Sequence, residues 1–184
     1  RLRNLEGEQD AMQLDGVMGL SVGLNQFFGM ELEEWPAQVA RIALFLTDHQ
    51  ENLKLERVTG VTPNRFPISS SATIVNENAL SLDWESVFSI DSNTYILGNP
   101  PFYGARMQTI EQKEDGRMVW GEISGIGELD YVTNWYRKSA NYILKTETKC
   151  AFVSTNSISQ GEQPVIIWSA LAVYGLYSLI NKFI

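Results

Sequence analysis

One cysteine and one histidine among 184 residues remove much familiar chemistry at the outset. Cys150 has no second cysteine to pair with, so the chain holds no internal disulfide framework, and a reducing, cytoplasmic home is expected. His49 alone does not supply the His/Cys cluster of most zinc sites, and no metal is expected. Basic residues are also in short supply. Lys and Arg number 14 against 22 acids, a formal net charge of −8. A free-standing nucleic-acid binder carries a basic face, so this balance argues against one. It leaves room for a catalytic segment whose gripping parts lie elsewhere. Internal repeats and low-complexity stretches are absent. The charge-free stretch between Glu162 and Lys182 is broken by Gln163, Pro164, Ser169, Gly175 and Ser178. Its apolar part is shorter than the ~20 residues of a membrane span, so a buried helix is expected there and no membrane partner.

What is present is the composition of a soluble globular protein, 44% hydrophobic and 20% charged, with enough length for one domain and its core. The chain opens at Arg1 with no Met, and Arg1-Leu2-Arg3 is not followed by the apolar core of a signal peptide. It closes on the apolar run Leu179 to Ile184. Both ends are those expected of a piece of a larger polypeptide.

Patterning divides the chain into alternating elements. Phe27 to Leu32 reads as a short buried strand. Glu33, Glu34 and Pro36 then open a helix that is expected to run to about Asn52. Its predicted buried face is Trp35, Val39, Ile42, Leu46 and His49, at spacings of three and four. Residues 59–72, with Gly60, Pro63, Pro67 and three serines, read as a loop. Thr73 to Val75 and Thr94 to Gly98 are further strands, and the polar, glycine-containing stretch to about Gly127 reads as loop. Leu129 to Leu144 is a predicted helix with Leu129, Val132, Tyr136, Ala140 and Ile143 on one stripe. Lys149 to Thr155 is a fourth strand, and Ile166 to about Tyr177 a last helix. Strands alternating with amphipathic helices predict a doubly wound α/β domain with a parallel sheet. Ligands of such sheets sit beyond the carboxyl ends of the strands. That rule places Glu31, Asn78 and Asn99 in one neighbourhood, since each follows a strand.

The most informative segment is Asn99-Pro100-Pro101-Phe102, directly after a strand. Each proline fixes its own φ, removes an N–H donor and pushes the residue before it out of the helical region. The backbone is thereby held extended, with carbonyl oxygens open to an outside donor. Asn99 adds a side-chain acceptor and Phe102 a flat apolar face. Two acceptors beside an aromatic plane suit a planar ring with an exocyclic NH₂ group, such as adenine. The plainer reading is a proline-stiffened loop with Asn99 in a turn and Phe102 in the core.

Tyr95 to Phe102 resembles motif IV of the amino-group DNA methyltransferases, chiefly those that modify adenine N6. Phe27 to Leu32 resembles their motif II, Asn76 to Leu80 sits where motif III belongs, and Lys149 to Asn156 resembles motif VI. More narrowly, Glu31 to Ala37, Asp48-His49-Gln50, Leu129 to Val132 and Ser154 to Ile158 resemble the methyltransferase region of single-chain restriction–modification enzymes of the MmeI type. The likeness covers most of the chain from about Gln26 to Trp168. It implies an incomplete Rossmann-like, class I S-adenosylmethionine-dependent methyltransferase domain, in which residues 1–184 carry motif II to about motif VI. The glycine-rich motif I, the target-recognition region and any nuclease lie outside this sequence, so the chain is not expected to be competent alone. Motif III usually offers an acid to the cofactor's adenine amino group, whereas Asn78 offers an amide oxygen without charge assistance.

The resemblance implies roles for particular residues. Asn99 and the Pro100 carbonyl accept the N6 protons of an adenine flipped out of double-stranded DNA, Pro101 keeps the segment rigid, and Phe102 stacks on the base. Glu31 takes the cofactor ribose and Asn78 its adenine. Cys150, following Lys149 in an apolar strand, is expected in the core and not as the nucleophile of cytosine-C5 methylation. His49 is expected to pack and not to act as ligand or base; Tyr131 and Trp135 could contact DNA but are expected in the core. Rival expectations are a protein-glutamine or RNA methyltransferase of the same fold, since glutamine amides and RNA bases also carry planar NH₂ groups, and a non-catalytic methyltransferase-like interaction module.

Overall fold

The computed structural model describes residues 22–60, 71–91, 93–143, 146 and 148–172, which fall into one unit ending at Ala79 and a second beginning at Leu80. The first unit holds strand β1 (Phe28–Glu31), helix α1 (Glu34–Thr59) and strand β2 (Thr73–Asn76). The two strands pair in parallel, Phe28 opposite Thr73 and Glu31 opposite Asn76, as the connection through a helix requires. Pro36 falls in the first turn of α1, where a missing N–H breaks no helical bond. The helix continues past its expected end at Asn52 to Gly60, whose left-handed backbone (φ 71°) closes it.

The predicted buried face of α1 is corrected. Trp35 is 77% exposed and Ile42 60%, with Val39, Leu46 and His49 exposed as well. The face that packs is instead Ala37, Arg41, Leu44 and Leu55: Ala37 is fully buried with Ala72 and Ile74, and the Arg41 guanidinium donates to the Ile74 carbonyl. The small Ala37 side chain and a cation reaching a strand carbonyl settle which of two helical stripes meets the sheet, a choice that apolar spacing alone leaves open.

The second unit holds β3 (Tyr95–Gly98), α2 (Ile110–Trp120), α3 (Thr133–Ile143), β4 (Lys149–Phe152) and α4 (Gln163–Ala172). β3 and β4 are parallel, Tyr95 opposite Lys149 and Gly98 opposite Phe152. Trp120, Leu129, Ala140, Ile143, Cys150, Ile167 and Leu171 form its core. The predicted stripe Leu129, Val132, Tyr136, Ala140 and Ile143 is buried throughout, and Cys150 is a buried free thiol. The helix itself starts at Thr133, four residues later than expected. The reason is local: Leu129 is extended, and Thr133, Asn134 and Trp135 donate to carbonyls three residues back, making a turn before the helix.

Helix α2 lies where sequence patterning predicts loop. Its signal is a capping box: the Thr109 hydroxyl accepts from the Gln112 N–H at 3.3 Å, and the Gln112 side chain accepts from the Thr109 N–H at 3.0 Å. A polar composition and Gly116 mask the helical period. Gly116 is buried, facing the Asn134 side chain of α3. Strand β4 stops at Phe152, short of the expected Thr155, and α4 begins three residues before the expected Ile166. The expected end of α4 at Tyr177, the first twenty residues and most of the loop at 59–72 lie outside the described residues. Parallel strand pairs flanked by helices make this a mixed α/β chain, consistent with part of a Rossmann-like fold. No helix among the described residues is long and apolar enough to cross a membrane.

Candidate active site at the carboxyl ends of the strands

In the second unit the chain leaves β3 at Gly98 and runs directly into Asn99-Pro100-Pro101-Phe102. The β ladder holds it up to this point, the Val153 N–H donating to the Gly98 carbonyl at 3.0 Å. Gly98 packs closely here. A Cβ at this position would stand 3.0 Å from the Phe152 ring, so the bare backbone lets that ring lie against β3. Pro100 is buried, whereas Asn99 and Pro101 are exposed and Phe102 is 48% exposed. Among the described residues neither the Asn99 side chain nor the Pro100 carbonyl takes part in a hydrogen bond. The segment thus presents two open acceptors and one aromatic face, anchored through a buried proline.

Its downstream end is fixed by other elements. Tyr131 N–H donates to the Tyr103 carbonyl at 2.8 Å, and Ala105 N–H donates to Asp130 Oδ1 at 3.2 Å. The Gln108 amide donates to the Leu129 carbonyl at 2.8 Å. Tyr131 and Trp135, expected to pack, meet edge-to-face at 5.3 Å, and Tyr131 is buried. The Tyr131 hydroxyl donates to Asp115 on α2 at 2.5 Å. Burial, then this carboxylate, pushes the phenol well above the usual tyrosine range, so it stays a donor at any physiological pH. Sequence reading missed Asp115 along with its helix. From α3, Lys138 donates to the carbonyls of Leu80 and Leu82 at 2.5 and 2.6 Å. Burial lowers its ammonium below the ordinary lysine value, with Asp83 and Asp115 opposing the shift. A hollow of about 70 Å³ lies between α2 and Gln108, Leu129 and Asn134. It is far below the ~300 Å³ of the smallest usual ligand pockets.

In the first unit Glu31 ends β1 and is half-buried, its Oε1 accepting from the Glu33 N–H at 3.2 Å. Asn76, opposite Glu31 in the ladder, donates from its amide to the carbonyls of Glu31 and Leu32 at 3.0 and 2.7 Å, tying the two strand ends together. Asn78 follows two residues later and is half-buried. Glu31 and Asn78 therefore share the carboxyl edge of the β1–β2 pair. Asn99 to Phe102 stand at the carboxyl edge of the β3–β4 pair, in the other unit. A carboxylate and an amide at the carboxyl ends of neighbouring strands are groups that can accept from hydroxyl and amino donors.

Short parallel strands with polar residues at their carboxyl ends and helices on their flanks are those of part of a Rossmann-like α/β fold. More narrowly, the chain belongs to the family described as MmeI, DNA-methyltransferase domain, whose model matches residues 1–178. It is 37% identical over 160 residues to DNA methyltransferase A of Bacillus subtilis (strain 168), covering 85% of this chain and 18% of that protein. It is also similar to the solved structure of the Type IIL restriction-modification enzyme MmeI in complex with DNA, with a TM-score of 0.79 and 45% identity over 85% of this chain and 21% of that one. A weaker likeness, 27% over 111 residues, covers 52% of this chain and 22% of an uncharacterized 4-hydroxyphenylpyruvate dioxygenase-like protein of Dictyostelium discoideum. The chain thus spans about a fifth of the length of the relatives it matches.

Proposed function

We propose that this chain is part of a DNA adenine-N6 methyltransferase of a restriction–modification system, carrying motif II to about motif VI of its catalytic domain, with a cytoplasmic home. The observation that carries the reading is the Asn99–Phe102 segment, which holds two acceptors unengaged among the described residues and a half-exposed aromatic ring at a strand's carboxyl end. Family membership and the likeness to an enzyme solved in complex with DNA support it.

Each residue then has a physical task. Asn99 Oδ1 and the Pro100 carbonyl accept the two N6 protons of an adenine rotated out of the duplex, which draws the nitrogen lone pair out of conjugation with the ring. Pro101 limits the backbone's freedom to swing these acceptors away. Phe102 stacks on the base, a contact worth about 1–3 kcal/mol. Glu31 accepts from the cofactor's ribose hydroxyls and Asn78 from its adenine amino group. Bound S-adenosylmethionine supplies an electrophilic methyl group. The rest is positioning and electrostatics, with no covalent enzyme intermediate.

The test uses the full-length polypeptide, unmethylated DNA and methyl-labelled S-adenosylmethionine, followed by nucleoside analysis. Label is expected in N6-methyladenosine and is expected to vanish in Asn99→Ala, while cofactor binding persists. Label in N4-methylcytosine would move the reading to the other amino base. Label confined to protein or RNA, or none at all, would overturn it.

A further inference from the structure

Asn99 to Phe102 make no hydrogen bonds of their own among the described residues, so the placement of these four residues is inherited from whatever holds them at each end. Upstream the anchor is the ladder bond at Gly98. Downstream it is the pair Asp130 and Tyr131. We propose that Asp130 is a positioning residue for the Asn99–Phe102 acceptors, clamping the loop after β3 to the loop after β4; this rests on the proposed methyltransferase reading of that segment.

The carboxylate of Asp130 serves two loops at once. Oδ1 accepts from Ala105 N–H at 3.2 Å, three residues beyond Phe102. Oδ2 faces the Ser157 hydroxyl at 2.5 Å and the Thr155 hydroxyl at 3.4 Å, both in the loop after β4. Those two hydroxyls are themselves 2.5 Å apart. The three oxygens form a triangle in which Oδ2 accepts from the Ser157 hydroxyl and the two hydroxyls bond each other. The Ser157 distance is that of a charge-assisted O–H···O⁻ bond. The backbone of Asp130 is held as well. Its N–H donates to Gln163 Oε1, at the first residue of α4, at 3.0 Å, and its carbonyl accepts from the Thr133 hydroxyl at 2.8 Å. Beside it Tyr131 N–H holds the Tyr103 carbonyl. The Tyr131 N–H and the Asp130 side chain together fix where the chain goes after Phe102, and the Asp130 carboxylate is what ties that segment to the loop after β4. Misplacing reacting groups by about 1 Å costs on the order of a hundredfold in rate.

The experiment measures initial rates of methyl transfer by the full-length polypeptide to amplified, hence unmethylated, bacterial genomic DNA. Asp130→Ala is compared with Asp130→Asn, and rates are normalised to cofactor-binding sites. Asp130→Ala removes both loop contacts and is expected to lower kcat by about a hundredfold while the KM for S-adenosylmethionine stays within about twofold. Asp130→Asn keeps an oxygen for Ala105 and offers an amide to the hydroxyls, and is expected to recover most of that loss. If Asp130→Ala does not fold, the double change T155V/S157A removes only the far half of the clamp, and a lowered kcat with unchanged KM is expected there too. Undiminished kcat in Asp130→Ala or in T155V/S157A overturns the inference, as does an equal loss in Asp130→Ala and Asp130→Asn. These outcomes differ from failure of the methyltransferase reading, in which the wild-type protein itself transfers no methyl group to DNA.

Discussion

Phe102 and Glu31 show how a residue's role follows from what its surroundings leave free. An aromatic ring gains about 1.5–3 kcal/mol on full burial, yet Phe102 keeps 48% of its surface in water. A base stacking on the ring would recover part of that burial. Asn99 is similarly exposed, its amide without a hydrogen bond among the described residues. Glu31 carries a carboxylate at a strand end that, among the described residues, accepts from the neighbouring Glu33 N–H. For Glu31→Ala in the full-length protein, the dissociation constant for S-adenosylmethionine measured by titration calorimetry is expected to rise about tenfold or more, the loss of a charged hydrogen bond. An unchanged constant would leave Glu31 as a first-turn surface acid. These residues were legible in the sequence because proline, asparagine and acid side chains act within a few positions of where they stand. Asp130 was not legible. Its importance comes from Ala105, Thr155, Ser157 and Gln163, none nearer than 25 residues along the chain.

At the scale of elements, local chemistry located the strands well and the helix boundaries less well. β1, β2 and β3 sit within a residue or two of their apolar runs, because a four-residue strand is little more than its run. Helix α2 was hidden by a polar composition that its capping box could have exposed. The turn before α2's neighbour α3 offers a direct check. Gly125 has a left-handed backbone (φ 84°), and a Cβ there would meet Ile166 Cδ1 of α4 at 2.7 Å. Gly125→Ala therefore combines backbone strain with a clash, and is expected to destabilise the protein by about 1–3 kcal/mol in urea unfolding. A wild-type midpoint would show that α4 yields at this contact without cost. The face chosen by α1 is the plainest disagreement between pattern and structure. Two stripes satisfy the helical period, and the one with Ala37 and Arg41 packs because it fits the strand beneath it.

For the molecule as a whole, the proposed chemistry is divided between two units, the cofactor-facing residues Glu31 and Asn78 in one and the base-facing Asn99 to Phe102 in the other. The chain matches about a fifth of its relatives' length and contains no glycine-rich motif I. By itself the 184-residue chain is expected to bind S-adenosylmethionine at least about a hundredfold more weakly than the full-length protein, since roughly 2.8 kcal/mol of lost contacts suffices for that. Comparable affinities in calorimetry would mean that residues within this chain supply the missing cradle. The sequence by itself determined the alternation of strands and helices, the parallel α/β class, the acceptor-and-aromatic segment at Asn99 to Phe102 and the lack of a disulfide within these 184 residues, all of which depend on residue types and short-range spacing. The tertiary structure alone decided which face of α1 is buried, that Asp115, Lys138 and Asp130 bind distant segments, and that Phe102 remains half in solvent. Burial and hydrogen-bond satisfaction are set by partners far away in the chain, and no local pattern encodes which partner arrives.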